Sequence, residues 1–388
     1  MPFYHKLGEI PHKRHTQFKK PDGKLYREEV MGLEGFSSIE SILYHHFLPP
    51  RVKTVEDLGP AKPDYADFGP IRHRAFATAQ AKSDTDPVSA RTPLLGNNDV
   101  ILGITHATKS MDYFYRNAQA YETWWVHEGN GTLKSQFGNL SFQPGDYIII
   151  PFGVTWQMQL DTSEARFFTI ENPSQIMPPK RYRNNYGQML EHAPYCERDI
   201  HVPSELETHT ERGQFEVRVK VRDRITRHVL DHHPFDVVGW DGYLYPWIFN
   251  IEDFEPITGR IHQPPPVHQT FEGHNFVVCS FVPRLFDYHP LSIPAPYSHS
   301  NVNSDEVIYY AEGNFMSRKG IERGDISLHP YGLPHGPQPG MTEASIGKTK
   351  TEELAVMVDT FYPLHPTKQA LELEKPEYMA SWLEGDGE

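Results

Sequence analysis

A chain of 388 residues with 37 Lys and Arg against 51 Asp and Glu has a formal charge of −14. Such a surface repels nucleic-acid phosphates on average, which argues against that class of partner. No run of about 20 apolar residues exists to span a bilayer, and Met1 to Arg14 lacks the apolar core of a secretory signal, so a cytoplasmic protein is expected. Two cysteines, Cys196 and Cys279, and 34 prolines point to strands joined by stiff loops, without a disulfide framework.

Residues 1–95 are expected to form an N-terminal region. In it, Phe36-Ser37-Ser38-Ile39-Glu40 reads as the start of a short capped helix, and 81–93 as a stretch without fixed structure. Residues 96–230 read as strands. Thr132-Leu133-Lys134 and Asn139-Leu140-Ser141-Phe142 have the two-residue period of half-buried strands, and Tyr147-Ile148-Ile149-Ile150 suits a strand buried on both faces. The Pro144-Gly145-Asp146 turn supplies a glycine able to take positive φ. Residues 231–388 repeat the pattern. Val307-Ile308-Tyr309-Tyr310 follows Glu306 and stops at Gly313, Arg323-Gly324-Asp325 matches the earlier turn, and a closing helix is expected around Thr367–Trp382. Aligning Glu122 with Glu306 places Gly129 on Gly313, Asn117 on Asn301, Pro151 on Pro330 and Gly153 on Gly332. A repeat of this kind implies a duplicated unit, here a small β-barrel. The fold class expected is therefore all-β, two barrels with an N-terminal extension and a C-terminal helix.

The copies share turn residues but not histidines. Tyr115 stands where His299 stands, Ile150 where His329 stands, and Trp156 where His335 stands. Only the second copy has a possible metal site, made of His299, Glu306 and His335. Two histidines and one carboxylate on neighbouring strands can take one face of an octahedral metal and leave the other open, as in non-haem Fe(II) oxygenases. Asp305 is the rival carboxylate. Alternation turns neighbouring residues to opposite faces, and the spacing to Gly313 favours Glu306. Of the 22 histidines, His5, His12, His15, His45, His46, His232 and His233 are expected on the surface or in hydrogen bonds. Glu122 and His127 in the first copy are expected to be structural.

The two-part motif resembles the cupin superfamily, with Asn301 in place of the second histidine of its first motif. That departure leaves three ligands, and so favours a three-ligand iron site over a manganese site with three histidines and a glutamate. A finer resemblance covers Asp236-Val-Val-Gly-Trp240-Asp-Gly242, His262-Gln-Pro-Pro-Pro266, Tyr297-x-His299 and Ser327-Leu-His329-x5-His335-Gly-Pro337. These segments resemble homogentisate 1,2-dioxygenases.

The resemblance implies Fe(2+) held by His299, Glu306 and His335, with a small aromatic acid and O2 as the partners. The reaction implied is ring cleavage of homogentisate to 4-maleylacetoacetate, a step of tyrosine and phenylalanine catabolism. It implies an acid/base histidine at His268, with His262 the alternative, and substrate contacts from His329, Tyr297 and His335. The family's spacing from its first histidine favours Asp305 over Glu306, so the carboxylate stays open at this point. Phe315 occupies a position where the family usually has a substrate-contacting tyrosine. A ring-cleaving enzyme for another hydroquinone-type or dihydroxylated aromatic acid therefore stays open. A zinc isomerase on the same scaffold would need more protein ligands. Trimers pairing into hexamers are the assembly implied.

Overall fold

The computed structural model describes residues 3–313 and 320–383. Among them only Met341–Ser345 and Lys368–Glu372 are α-helical, and the rest is strand, turn and short 3-10 segments. The all-β two-barrel architecture expected from the sequence is present. In the first barrel an eight-stranded sheet faces a seven-stranded one. Tyr121–Glu128 lies between Asp146–Ile150 and Ala165–Asn172, while Gly131–Ser135 lies between Gly138–Phe142 and Thr155–Leu160. Trp124 and Trp156 meet between the sheets with ring centres 5.7 Å apart, so aromatic side chains fill this barrel.

The second barrel is built differently. One wall is a six-stranded sheet holding Phe276–Phe281, Leu354–Thr360, Asp305–Glu312 and Ile326–His329. The facing wall is irregular, with the ribbon of Arg284–Leu285 and Lys350–Thr351 and a bridge between His299 and His335 among its ties. Alternation sorts the sheet's side chains. Val307, Tyr309, Val278 and Val358 join the main core shared with the first barrel. Tyr309 meets His127 (O–Nδ1 2.6 Å) and Tyr147 meets Ser280 (O–O 2.8 Å) across that junction. Glu306, Ile308 and Tyr310 face the other way, into a cavity between sheet and irregular wall.

The duplication holds residue by residue in the register. Glu122 pairs with Ile150 and Glu171, as Glu306 pairs with His329 and Asp359. Tyr115 pairs with Trp156 as His299 pairs with His335. Gly145 and Gly324 turn with φ of +91° and +87°, the left-handed region that the two matching turns were expected to need.

Four local expectations need correction. The boundaries at 95/96 and 230/231 are crossed by the sheets. Arg74–Phe76 adds to the second barrel's sheet beside Ile326–His329, and Trp247–Asn250 adds to the first barrel beside Asp146–Ile150. Exchanging edge strands in this way covers backbone that would otherwise stand unpaired. The helix expected from Phe36 is one 3-10 turn, Glu34–Phe36, followed by strand Glu40–His45. Its apolar residues are held between Arg27–Gly32 and Val237–Gly242. The stretch 81–93 is ordered, with Asp86 accepting from the Val88 and Ser89 N–H groups before strand Arg91–Gly96 begins. The closing helix is two pieces, Lys368–Glu372 and the 3-10 turn Tyr378–Trp382. Pro376 between them lacks an N–H and disfavours helix at Lys375.

Candidate metal centre

His299 and His335 exchange two backbone hydrogen bonds, each N–O 2.8 Å, which sets their rings on the same side, 4.3 Å apart. Glu306, second residue of its strand, points at them from the sheet. Its Oε2 lies 3.8 Å from His299 Nε2 and 3.5 Å from His335 Nε2, and one ligand atom from each of the three lies within 4.8 Å of the others. The Nδ1 atoms face the carbonyls of Tyr297 (3.2 Å) and Leu333 (3.3 Å). A carbonyl only accepts, so each Nδ1 carries the proton and each Nε2 presents a lone pair. Two lone pairs then converge on a buried carboxylate, and His335 Nε2 is buried without a hydrogen-bond partner. Neutral acceptors facing an anion repel unless a cation lies between them. The donor set therefore fits a divalent metal ion.

The electrostatics agree. Where no metal is bound, a proton on the imidazoles can serve as that cation: burial alone would raise Glu306, but hydrogen bonds from His299, His329 and His335 in their protonated forms hold its carboxyl well below the ordinary range. His299 is raised, first by its hydrogen bond to Glu306. Asp305 points away, accepting the N–H groups of Tyr331 (2.8 Å) and Leu364 (2.7 Å). That orientation leaves Glu306 as the carboxylate that faces the two histidines, on the side of the strand opposite to Asp305.

His329 is fully buried behind the carboxylate. Its Nδ1 is 2.7 Å from Glu306 Oε1 and its Nε2 3.1 Å from the Tyr378 hydroxyl. An ionised Glu306 only accepts, so Nδ1 donates to it and Nε2 accepts from the tyrosine. The sequence suggested a substrate contact at His329; the structure places it behind Glu306, away from the cavity wall.

The cavity has a volume of about 580 Å³ and is lined by Glu306, His299, Tyr297, His262 and His268 among others. The two acid/base candidates lie at different depths. His268 precedes Gln269, which pairs with Cys279, and its ring packs on Phe281 (4.8 Å). Val277 is the residue level with Asp359 and Glu306, so His268 stands about four residues, roughly 13 Å, along the sheet from the carboxylate. Burial, and then the charge of Arg284, push its imidazole down to about 3. His262 is exposed at the cavity's rim, with Nδ1 3.7 Å from Asp287 and its ring against Tyr297 (5.0 Å). Tyr297 in turn meets the edge of His299 (6.0 Å). Phe315 lies outside the described residues.

Sequence reasoning missed Asp359. It lines the cavity directly opposite Glu306 on the neighbouring strand. Burial and then the charge of Glu306 push it up to about 8, against the opposing effect of His299. Asp359 lies within Val358-Asp-Thr, but nothing in a linear chain shows which strand it will pair with. In the first barrel Glu171 stands at that register position, and an internal cation lies beside the two acids. Arg91 Nη1 lies 2.5 Å from Glu122 Oε1, and its guanidinium stacks over Trp124 (4.3 Å) and Tyr115 (5.3 Å).

Residues 72–251 match the family described as homogentisate 1,2-dioxygenase N-terminal. A candidate dioxygenase of Saccharolobus solfataricus is 44% identical over 385 residues, covering 98% of this chain and 99% of its own length. The homogentisate 1,2-dioxygenase of Bradyrhizobium diazoefficiens is 28% identical over 283 residues, 68% of this chain and 61% of its own. A cupin 2 conserved barrel domain protein from Leptotrichia buccalis, a solved structure, covers 78% of this chain and 100% of its own at 8% identity and a TM-score of 0.34. No described helix is long and apolar enough to cross a membrane. Given its end-to-end match to the first of these relatives, the chain is a dioxygenase belonging to the homogentisate dioxygenase family.

Proposed function

We propose that the chain is an Fe(II)-dependent ring-cleaving dioxygenase acting on homogentisate or a related hydroquinone-type acid, with O2 as co-substrate. The observation that carries this reading is the convergence of two imidazole lone pairs and one carboxylate at the wall of a cavity large enough for an aromatic acid. His299, Glu306 and His335 would hold the iron. When bound, iron(II) supplies the electron density that lets ground-state dioxygen react with a phenolate ring. With homogentisate the product would be 4-maleylacetoacetate, a step of tyrosine and phenylalanine breakdown. Trimers pairing into hexamers are part of the same reading.

The chain's own side chains do the rest. Ile308 and Met357 line the cavity beside the ligands and exclude water from a bound ring. We assign the acid/base role to His262. Its Nδ1 lies 3.7 Å from Asp287, and its rim position leaves it open to exchange with solvent. His268, pushed down to about 3, stays neutral near pH 7, and its backbone stands about four residues along the sheet from the level of Glu306. His329 orients Glu306, and Tyr297 presents its hydroxyl at the rim.

The test is oxygen uptake by protein loaded with Fe(II) without air and offered homogentisate, with product mass recorded. One O2 consumed per substrate, both atoms in an opened ring, supports the reading. No uptake from iron-bound protein removes homogentisate and leaves the metal site. Metal analysis of His335→Ala checks the ligands separately: iron retained at the wild-type level would refute the assignment.

A further inference from the structure

Homogentisate is a single ring with an acetate arm. The cavity that would receive it, at about 580 Å³, falls in the range of roughly 300–1,000 Å³ that holds much larger ligands. The register shows how the space is distributed. From the level of Glu306 and Asp359 the wall passes to Ile308, Cys279 and Met357, and then to Tyr310, Phe281 and Ala355. That is four residues of strand, about 13 Å. At the middle level Ile308 and Met357 offer hydrocarbon, and Gln269 beside Cys279 is the polar side chain there, its Oε1 taken by Arg181, so most of that level suits an apolar arm.

The far end changes character. Arg284 lines it, close enough for its charge to lower His268. Its guanidinium lies over the Phe286 ring (5.8 Å) and donates to the Val282 carbonyl (3.3 Å). Glu353 and Asp287 act on it through space, but no described carboxylate closes an ion pair with it. Burial lowers its pKa, the sign of a cation short of solvent. A guanidinium is the side chain best shaped to take a carboxylate through two parallel hydrogen bonds.

We infer that the substrate is a ring-hydroxylated aromatic acid longer than homogentisate. Its ring lies at the His299–Glu306–His335 end, an apolar arm runs past Ile308 and Met357, and a terminal carboxylate meets Arg284. The inference rests on the proposed ring-cleavage function for the ring's position. It does not rest on that function for the anion site.

Binding separates the two. Titration calorimetry on the Fe(II)-loaded protein, kept without air, uses phenylacetate, 6-phenylhexanoate and 6-phenylhexanamide, none of which has a ring hydroxyl. The long acid should bind at least about tenfold tighter than either the short acid or the amide, the size expected of one charge-assisted contact. Arg284→Met should erase the difference between acid and amide. Equal affinities for acid and amide in the wild-type protein, a comparison that needs no variant, would overturn the inference. So would a preference for the acid that survives Arg284→Met. Oxygen uptake is then compared for homogentisate and 6-(2,5-dihydroxyphenyl)hexanoate. A higher kcat/KM for the longer acid supports the inference, and a higher value for homogentisate counts against it. Uptake with neither, while the binding preference persists, sinks ring cleavage and keeps the anion site.

Discussion

Replacing His329 tests whether it supports the metal ligand or touches substrate. In the structure its Nδ1–H donates to Glu306 Oε1 at 2.7 Å, and its other nitrogen accepts from Tyr378 at 3.1 Å. His329→Leu keeps an apolar filler but removes the donor. A hydrogen bond to a charged group contributes about 1.5–3 kcal/mol, so the metal-free variant should lose about that much stability to denaturant. Outer partners that orient a metal ligand typically change affinity by about 10- to 100-fold, so iron affinity, measured by competition with a chelator, should fall by that factor. His329→Gln, whose amide can still donate to Oε1, should recover part of both losses. A substrate contact would behave otherwise, with iron affinity unchanged and KM raised. Wild-type iron affinity in His329→Leu would refute the supporting role.

His262→Ala should retain iron and lose at least about 100-fold in kcat, whereas His268→Ala should lower kcat on homogentisate far less; the reverse order would return the acid/base role to His268. Arg91→Met should destabilise the protein by about 3–5 kcal/mol, because Glu122 is left buried without its partner, and Arg91→Met with Glu122→Gln should restore much of the loss in a chemical melt. His45 predicts a pH effect. Burial would lower it, but hydrogen bonding to Asp236 (2.7 Å) and Glu29 raises it to about 9. A pKa raised on folding adds stability that is complete below about 6.5 and lost as pH climbs toward 9, on the order of 3 kcal/mol. Unfolding free energies of His45→Gln between those limits should show that slope flattened; an unchanged slope would place the titration elsewhere.

The fold was readable because duplication writes the same turn chemistry twice. Pro144-Gly145-Asp146 and Arg323-Gly324-Asp325 fix two hairpins, and from them Glu122 and Glu306 fall at equal register. Alternation showed that Asp305 and Glu306 face opposite sides, because one residue's step along a strand reverses the face, and the spacing to Gly313 favoured Glu306 while the family's spacing favoured Asp305. What stayed hidden depends on pairing between distant segments. Arg74–Phe76 leaves the N-terminal region for the second barrel's sheet and Trp247–Asn250 joins the first barrel's, a choice made by which edge stands open. The apolar residues after Phe36 suit a helix face or a strand equally well, and the neighbouring strands decide it. His329 carried a motif position but no sign that Glu306 would lie between it and the cavity. Arg284 and Asp359 gained meaning only when the fold brought them to the same cavity, one from each wall.

The two barrels solve one electrostatic problem in two ways. Each places a pair of acids side by side across neighbouring strands, Glu122 with Glu171 in the first and Glu306 with Asp359 in the second. Adjacent buried carboxylates cannot both stay ionised without nearby positive charge. In the first barrel Arg91 reaches both acids (2.5 and 3.5 Å) and Lys220 bonds Glu171 (2.7 and 2.8 Å). Trp124, Trp156 and Tyr115 close the remaining space, so compensation is built in and the barrel is filled. The second barrel has no such cation beside Glu306 among the described residues. Three imidazoles surround that carboxylate, and Asp359 is pushed toward its neutral form. A metal ion held by these residues would supply the positive charge the chain does not build in, and the site is open to the cavity it faces. A barrel that compensates its acids internally has no room for a ligand, while one that leaves them to a metal keeps a face free for chemistry. The histidines present in only one copy follow from that division.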